Sequence, residues 1–163
     1  MTGKPMVSIF AATLFALGIG FGPASAGTGE ATVIDLTQTA CQFLESENGI
    51  DHGYTTTRKA DCETINAETG AERLAKAKVI ALEPGKYIFR VTNKNVPYEL
   101  GFWLREADYN WKNPLHKLSK ISVSGGGLVR GATQDYAVEL KPGEYLYSCP
   151  LNPTPDYRLV VEG

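Results

Sequence analysis

Two stretches of this chain, LEPGKYIFRV at Leu82–Val91 and LKPGEYLYSC at Leu140–Cys149, share the pattern Leu-x-Pro-Gly-x-Tyr-aliphatic-aromatic. In each, Pro-Gly predicts a tight turn, and the residues after it alternate as a strand. A period of two sends Tyr145, Tyr147 and Cys149 to one face, as it does Tyr87, Phe89 and Val91. Cys149 therefore stands where the first copy has a core-type valine. Ala31–Thr39 reads as a first strand, with Ile34 and Leu36 on one face and Val33 and Asp35 on the other. Further strands are expected at Glu99–Arg105, Ile121–Ser124, Gln134–Leu140 and Tyr157–Glu162. Short strands punctuated by glycine and proline, with little helix, predict an all-β sandwich. SGGGL at Ser124–Leu128 is not followed by Gly-Lys-Ser/Thr, so it is expected to be a flexible connection rather than a phosphate cradle.

The first 26 of 163 residues read differently. Lys4 precedes an apolar run from Met6 to Phe21, a Gly22-Pro23 break and Ala24-Ser25-Ala26, the small-x-small form of a signal-peptidase site. The run is short of the ~20 residues a membrane span needs. A secretory leader over 1–26 and one domain over 27–163 are expected, in a periplasmic or secreted protein without a membrane anchor. The formal net charge is −2. Cleavage would remove only one charge, Lys4, and no cluster of Lys and Arg suggests nucleic acid.

Between the first strand and the first Pro-Gly turn, Ser46–Cys62 is polar and has no sustained period of 2 or 3.6. This is expected to be a long excursion, closed by a short helix that starts at a Thr69–Glu72 capping box and runs over Ala71–Lys78. The chain has three cysteines, Cys41, Cys62 and Cys149. An exported protein meets an oxidising compartment, so pairing is expected and one cysteine is left over. A Cys41–Cys62 bridge would enclose the excursion, contributing on the order of 3 kcal/mol in the chain-entropy model. It would also offset part of the ordering cost of a long polar loop. A Cys41–Cys149 bridge would instead clamp the last strands to the first. Cys149 has three readings: metal-ligating thiolate, half of a disulfide, or buried core thiol.

The stretches PGKYIFRVTNKNVPYEL and LKPGEYLYSCP resemble the cupredoxins, in which a strand like the second presents the copper cysteine. The resemblance implies a Greek-key β-sandwich. A blue-copper centre also needs two histidines and usually an axial methionine. Here the first histidine position falls at Tyr98, and Pro150–Gly163 holds neither histidine nor methionine. Blue-copper electron transfer is thus not expected. The chain is more similar to the cupredoxin-like domain of EfeO-type periplasmic iron-uptake proteins. The likeness is carried by TACQF with Cys41, YLYSC with Cys149, and Glu99 in YELGF. It does not extend to the helical domain that follows in those proteins. This resemblance implies metal binding or handling, of copper or iron, through Cys149, Cys41 and Glu99.

The two histidines, His52 in DHGY and His116 in PLHKL, are the remaining candidate ligands. Tyr109 and Trp111 sit among charges in LREADYNWKNPLHKLSK, either as an anchor for a periplasmic partner protein or as a lid on the sandwich. That anchor defines the alternative reading, a metal-free scaffold that binds a partner. No Gly-x-Ser-x-Gly, His-Glu-x-x-His or CxxC motif occurs, and an enzyme is not expected.

Overall fold

A computed structural model describes residues 1–3 and 30–163. The secretory-leader reading falls almost wholly on 4–29, outside the described residues. No helix among the described residues is long and apolar enough to cross a membrane. The strands are β1 (Thr32–Thr39), β2 (Gln42–Phe43), β3 (Ile80–Leu82), β4 (Gly85–Asn93), β5 (Leu100–Glu106), β6 (Ser122–Leu128), β7 (Thr133–Leu140), β8 (Gly143–Ser148) and β9 (Tyr157–Val161). They form a β-sandwich of two mixed sheets, in the orders β2-β1-β4-β7 and β3-β9-β8-β5-β6. Most pairs are antiparallel. β1 runs parallel to β4, from Thr32 opposite Tyr87 to Gln38 opposite Asn93, and β3 runs parallel to β9.

Alternation places the core where the sequence predicts it. Tyr87, Phe89 and Val91 on β4, and Tyr145 and Tyr147 on β8, are buried along with Cys149. Phe102 is at the centre, stacked on Phe89 with ring centroids 5.6 Å apart and edge-on to Phe43 at 6.1 Å. Such pairs add about 0.5–1.5 kcal/mol each beyond the area they bury. The buried tyrosines carry hydroxyls that need partners. Tyr147 meets Ser46 Oγ at 2.7 Å. Tyr87 and Tyr145 each donate to the carbonyl four residues earlier, Glu83 O at 2.7 Å and Lys141 O at 2.9 Å. The repeated Pro-Gly motif is thus a turn locked by its own tyrosine.

The excursion differs from expectation in its helix. A parallel β1–β4 pair requires a crossover, and the crossover carries an 18-residue helix, α1 (Lys59–Lys76), preceded by a 3-10 turn at Glu45–Glu47. The expected start at Thr69 lies in mid-helix, where the Thr69 hydroxyl donates to Ile65 O at 2.8 Å. The true N-terminus is fixed by Asp61, whose Oδ2 accepts from Thr57 N at 2.8 Å and Arg58 N at 3.2 Å. The covered face of α1 carries Cys62, Asn66, Thr69, Gly70 and Arg73. That spacing is helical, but Ile65 is the one large aliphatic side chain of α1 packed against the core and the rest of the covered face is polar or small, so no continuous apolar stripe marks it.

The expected flexible connection at Ser124–Leu128 is also corrected, because these residues extend β6. Glycine is required there by close approach. A Cβ at Gly125 would lie 2.8 Å from the Tyr136 ring, and one at Gly101 would lie 2.6 Å from Gly125 O.

Candidate functional site

At one end of the sandwich the chain leaves β1 through Cys41, whose φ of 64° is left-handed, and turns back into β2. Cys41 is bonded to Cys62 in the first turn of α1, with Cα atoms 5.1 Å apart. This is the pairing that encloses the excursion. It also corrects the expectation of Cys41 as a metal ligand, since a disulfide sulfur cannot act as a thiolate. Asn152, fully buried in the loop after β8, joins the pieces. Its Oδ1 accepts from Cys41 N at 3.0 Å and from the Tyr98 hydroxyl at 3.1 Å, and its Nδ2 donates to Thr39 O at 2.9 Å.

Cys149 is a free, buried thiol. Its sulfur accepts from Gly101 N at 3.3 Å and Asn152 N at 3.2 Å. Burial pushes its pKa up, and hydrogen bonds from the Gly101, Asn152 and Leu151 backbones and the Gln38 side chain offset this only in part. The thiol is therefore neutral at physiological pH and a poor nucleophile. Two buried side-chain atoms have no hydrogen-bond partner among the described residues, Gln38 Oε1 and Thr39 Oγ1, and the Gln38 side chain is the one that reaches the thiol. Gln38 holds the same end together through Nε2, which donates to Gly101 O at 2.8 Å.

The other expected ligands are held elsewhere. Glu99 is exposed, and its Oε1 accepts from Gly127 N at 2.7 Å, fastening the glycine end of β6. His52 is 2.7 Å from Glu47 Oε2 through Nε2. His116 accepts from Asn110 N at 2.9 Å through Nδ1, within the β5–β6 connection. Among the described residues, no group of three His, Cys, Asp or Glu side chains is arranged to hold a metal ion.

The β5–β6 connection is an ordered platform. Lys120 Nζ binds Asp108 at 2.7 Å and Glu106 at 3.3 Å, and Glu106 Oε1 accepts from Ile121 N at 2.7 Å. Side-chain oxygens of Asn110 and Asn113 accept from Lys112 N and Leu115 N, and a single-turn helix, α2 (His116–Ser119), follows. The paired aromatics separate. Tyr109 tucks edge-on against Trp103 at 6.0 Å. Trp111 points out and is 64 % exposed, with Leu115 at 67 % and Leu118 at 87 %. Sequence reasoning missed Leu115 and Leu118; Trp111 and Leu115 precede α2, so no helical period links the three. It also missed Gln38 and Asn152, which no motif marks. No protein-family model matches the chain, and no curated protein matches it.

Proposed function

We propose that this protein is a disulfide-clamped, cupredoxin-like β-sandwich that docks on a partner protein through the Trp111 loop. The observation that carries the reading is the exposure of Trp111, Leu115 and Leu118 together on a platform fixed by ion pairs and asparagine turns. Large apolar side chains clustered in solvent mark interaction surfaces, and tryptophan is enriched among the residues that dominate binding energy. A preordered platform limits the entropy lost on binding. Lys112, with its ammonium 5.4 Å from the Trp111 ring, and Lys117 flank the apolar residues. They suit a partner whose apolar pocket has an acidic rim. The parallel β1–β4 pair and the two strand orders support the Greek-key cupredoxin-like reading. The apolar run over 6–21 and the disulfide support export to an oxidising compartment.

The test compares wild type with a W111A/L118S variant as immobilised bait in extract from the cells that make the protein. Each captured protein is then purified and titrated. Both substituted side chains are exposed, so the melting temperature should stay the same while affinity falls at least about tenfold. Equal capture and equal affinity would overturn the reading.

A second reading is soft-metal handling at Cys149, favoured by the unpartnered Oε1 of Gln38, whose side chain reaches the thiol. It requires Cys149 to ionise on binding. Stoichiometric Cu(I) bound by wild type and not by C149S supports it, and equal binding by both removes it.

A further inference from the structure

On the excursion, away from both Cys149 and the Trp111 loop, a cavity of about 250 Å³ is lined by residues that include Ile50, His52, Tyr54, Glu72, Arg73 and Lys76. Its floor is a buried ion pair. Arg73 Nη2 lies 2.7 Å from Glu47 Oε1, with the two side chains only 6 % and 5 % exposed. All five N–H groups of Arg73 are accounted for. Nε bonds both Glu47 oxygens, Nη1 bonds Asn66 Oδ1 at 2.7 Å and Thr69 Oγ1 at 3.4 Å, and Nη2 bonds Cys41 O at 2.8 Å and Glu47 Oε1. Glu47 is equally occupied, taking the Tyr157 hydroxyl on Oε1 and His52 on Oε2. At the rim Lys76 pairs with Glu72 at 2.6 Å. The four formal charges cancel in pairs, so the cavity offers an ionic ligand no unmatched partner.

What remains is His52. The Glu47 carboxylate only accepts, so the Nε2 atom facing it carries a proton, and in the neutral tautomer that leaves Nδ1 as an acceptor. Nδ1 has no hydrogen-bond partner among the described residues. The ring is held in place: it stacks on Tyr54 at 5.4 Å with planes 22° apart, and Tyr54 in turn carries the Arg73 guanidinium 5.2 Å from its centroid. A buried ion pair is weak as a source of stability but strong at fixing geometry. Here the geometry it fixes is that of one imidazole at the cavity wall. Ile50 and Tyr54 supply apolar surface beside it. The volume is below that of sites for drug-sized ligands, which suits a molecule of one ring.

We propose that this cavity binds a small neutral molecule carrying a hydroxyl group on a single ring, the hydroxyl donating to His52 Nδ1 and the ring lying against Ile50 and Tyr54. The test uses the full disulfide-bonded chain labelled with 15N. The His52 ring nitrogens are followed while phenol and, separately, D-glucose are titrated through the millimolar range. The expected result is saturable movement of the His52 resonances with one of the probes. His116, whose Nδ1 is already bonded to Asn110, should stay put. Phenol alone acting would assign a planar ligand, and glucose alone a saturated one. H52F should lose the saturable binding, and I50E should weaken it about tenfold while leaving the Glu47–Arg73 pair intact. No saturation with either probe, or undiminished binding by both variants, would overturn the proposal.

Discussion

In the first copy of the Pro-Gly device, Tyr87 closes the turn and β4 runs on through Val91 to Asn93; in the second, Tyr145 closes the turn and β8 ends at Ser148, one residue before Cys149. Each copy leads to a fully buried asparagine. Asn93 closes the loop that follows β4, donating to Val96 O at 3.1 Å and accepting from Val96 N at 2.9 Å, and makes one contact across to β6, donating to Leu128 O at 3.0 Å. Asn152 reaches across the molecule to Thr39, Cys41 and Tyr98. One device thus does two jobs. The first copy closes a local loop between sheets, and the second ties the end of β1 and the disulfide to the last strands. The chemistry of the strands follows the same division, with Phe89 and Val91 in the first copy and the titratable Tyr147 and Cys149 in the second.

The largest test of this contrast is a pair of double-mutant cycles. Removing the disulfide as C41A/C62A should cost about 3 kcal/mol in urea denaturation. N93A and N152A should each cost about 2–3 kcal/mol, because each strands buried backbone groups. The cost of N152A should shrink in the C41A/C62A background, and that of N93A should not. Equal behaviour of the two asparagines would mean that Asn152 is as local as Asn93.

C149V, which makes the second copy match the first, should cost about 2 kcal/mol, because Gly101 N and Asn152 N lose their sulfur acceptor. It should also reduce alkaline sensitivity. Burial raises the Cys149 pKa above its ordinary 9.0 and pushes Tyr147 from 10.0 up to about 12. A raised folded-state pKa contributes stability that is complete below the unfolded value and is lost as pH rises past it. Stability of wild type should therefore decline from about pH 9 upward, and C149V should decline less steeply between pH 9 and 10 when melted across a pH series. An unchanged alkaline slope would place the sensitivity elsewhere.

The smallest expected effect concerns the shared turn. Y87F and Y145F each delete one hydroxyl and should each cost about 1 kcal/mol. A difference between them of more than about 1 kcal/mol would show that the two turns are not equivalent.

The strands were legible because alternation is local, so Tyr87, Phe89, Val91, Tyr145, Tyr147 and Cys149 could be assigned a face from spacing alone. The Cys41–Cys62 pairing was legible because the excursion between them has no apolar core. Helix α1 was hidden because Asn66, Thr69, Gly70 and Arg73 make up most of its covered face, and Cys62 and Ile65 alone are too few to mark an apolar stripe. The glycines of β6 looked like a loop because close approach to Tyr136 leaves no sequence pattern. At the candidate site, Cys149 stood out by position. Gln38, Asn152 and Glu47 did not, since a polar side chain that satisfies groups far away in sequence carries no periodic signal. In the Trp111 loop the aromatic pair was visible, but which ring turns outward depends on the packing of Tyr109 against Trp103 of β5, which no motif marks.

The placement of the Cys41–Cys62 bond also bears on how the protein meets proteases. The exposed stretch from Asp51 to Arg58, apart from Tyr54 and Thr56, lies between the two cysteines and is the kind of segment that is nicked first. A single cut there leaves the fragment bearing β1 and the fragment bearing α1 still covalently joined. Such a nicked molecule would run as one species on a gel without reductant and as two with it, so damage to the crossover stays latent until the bond is reduced.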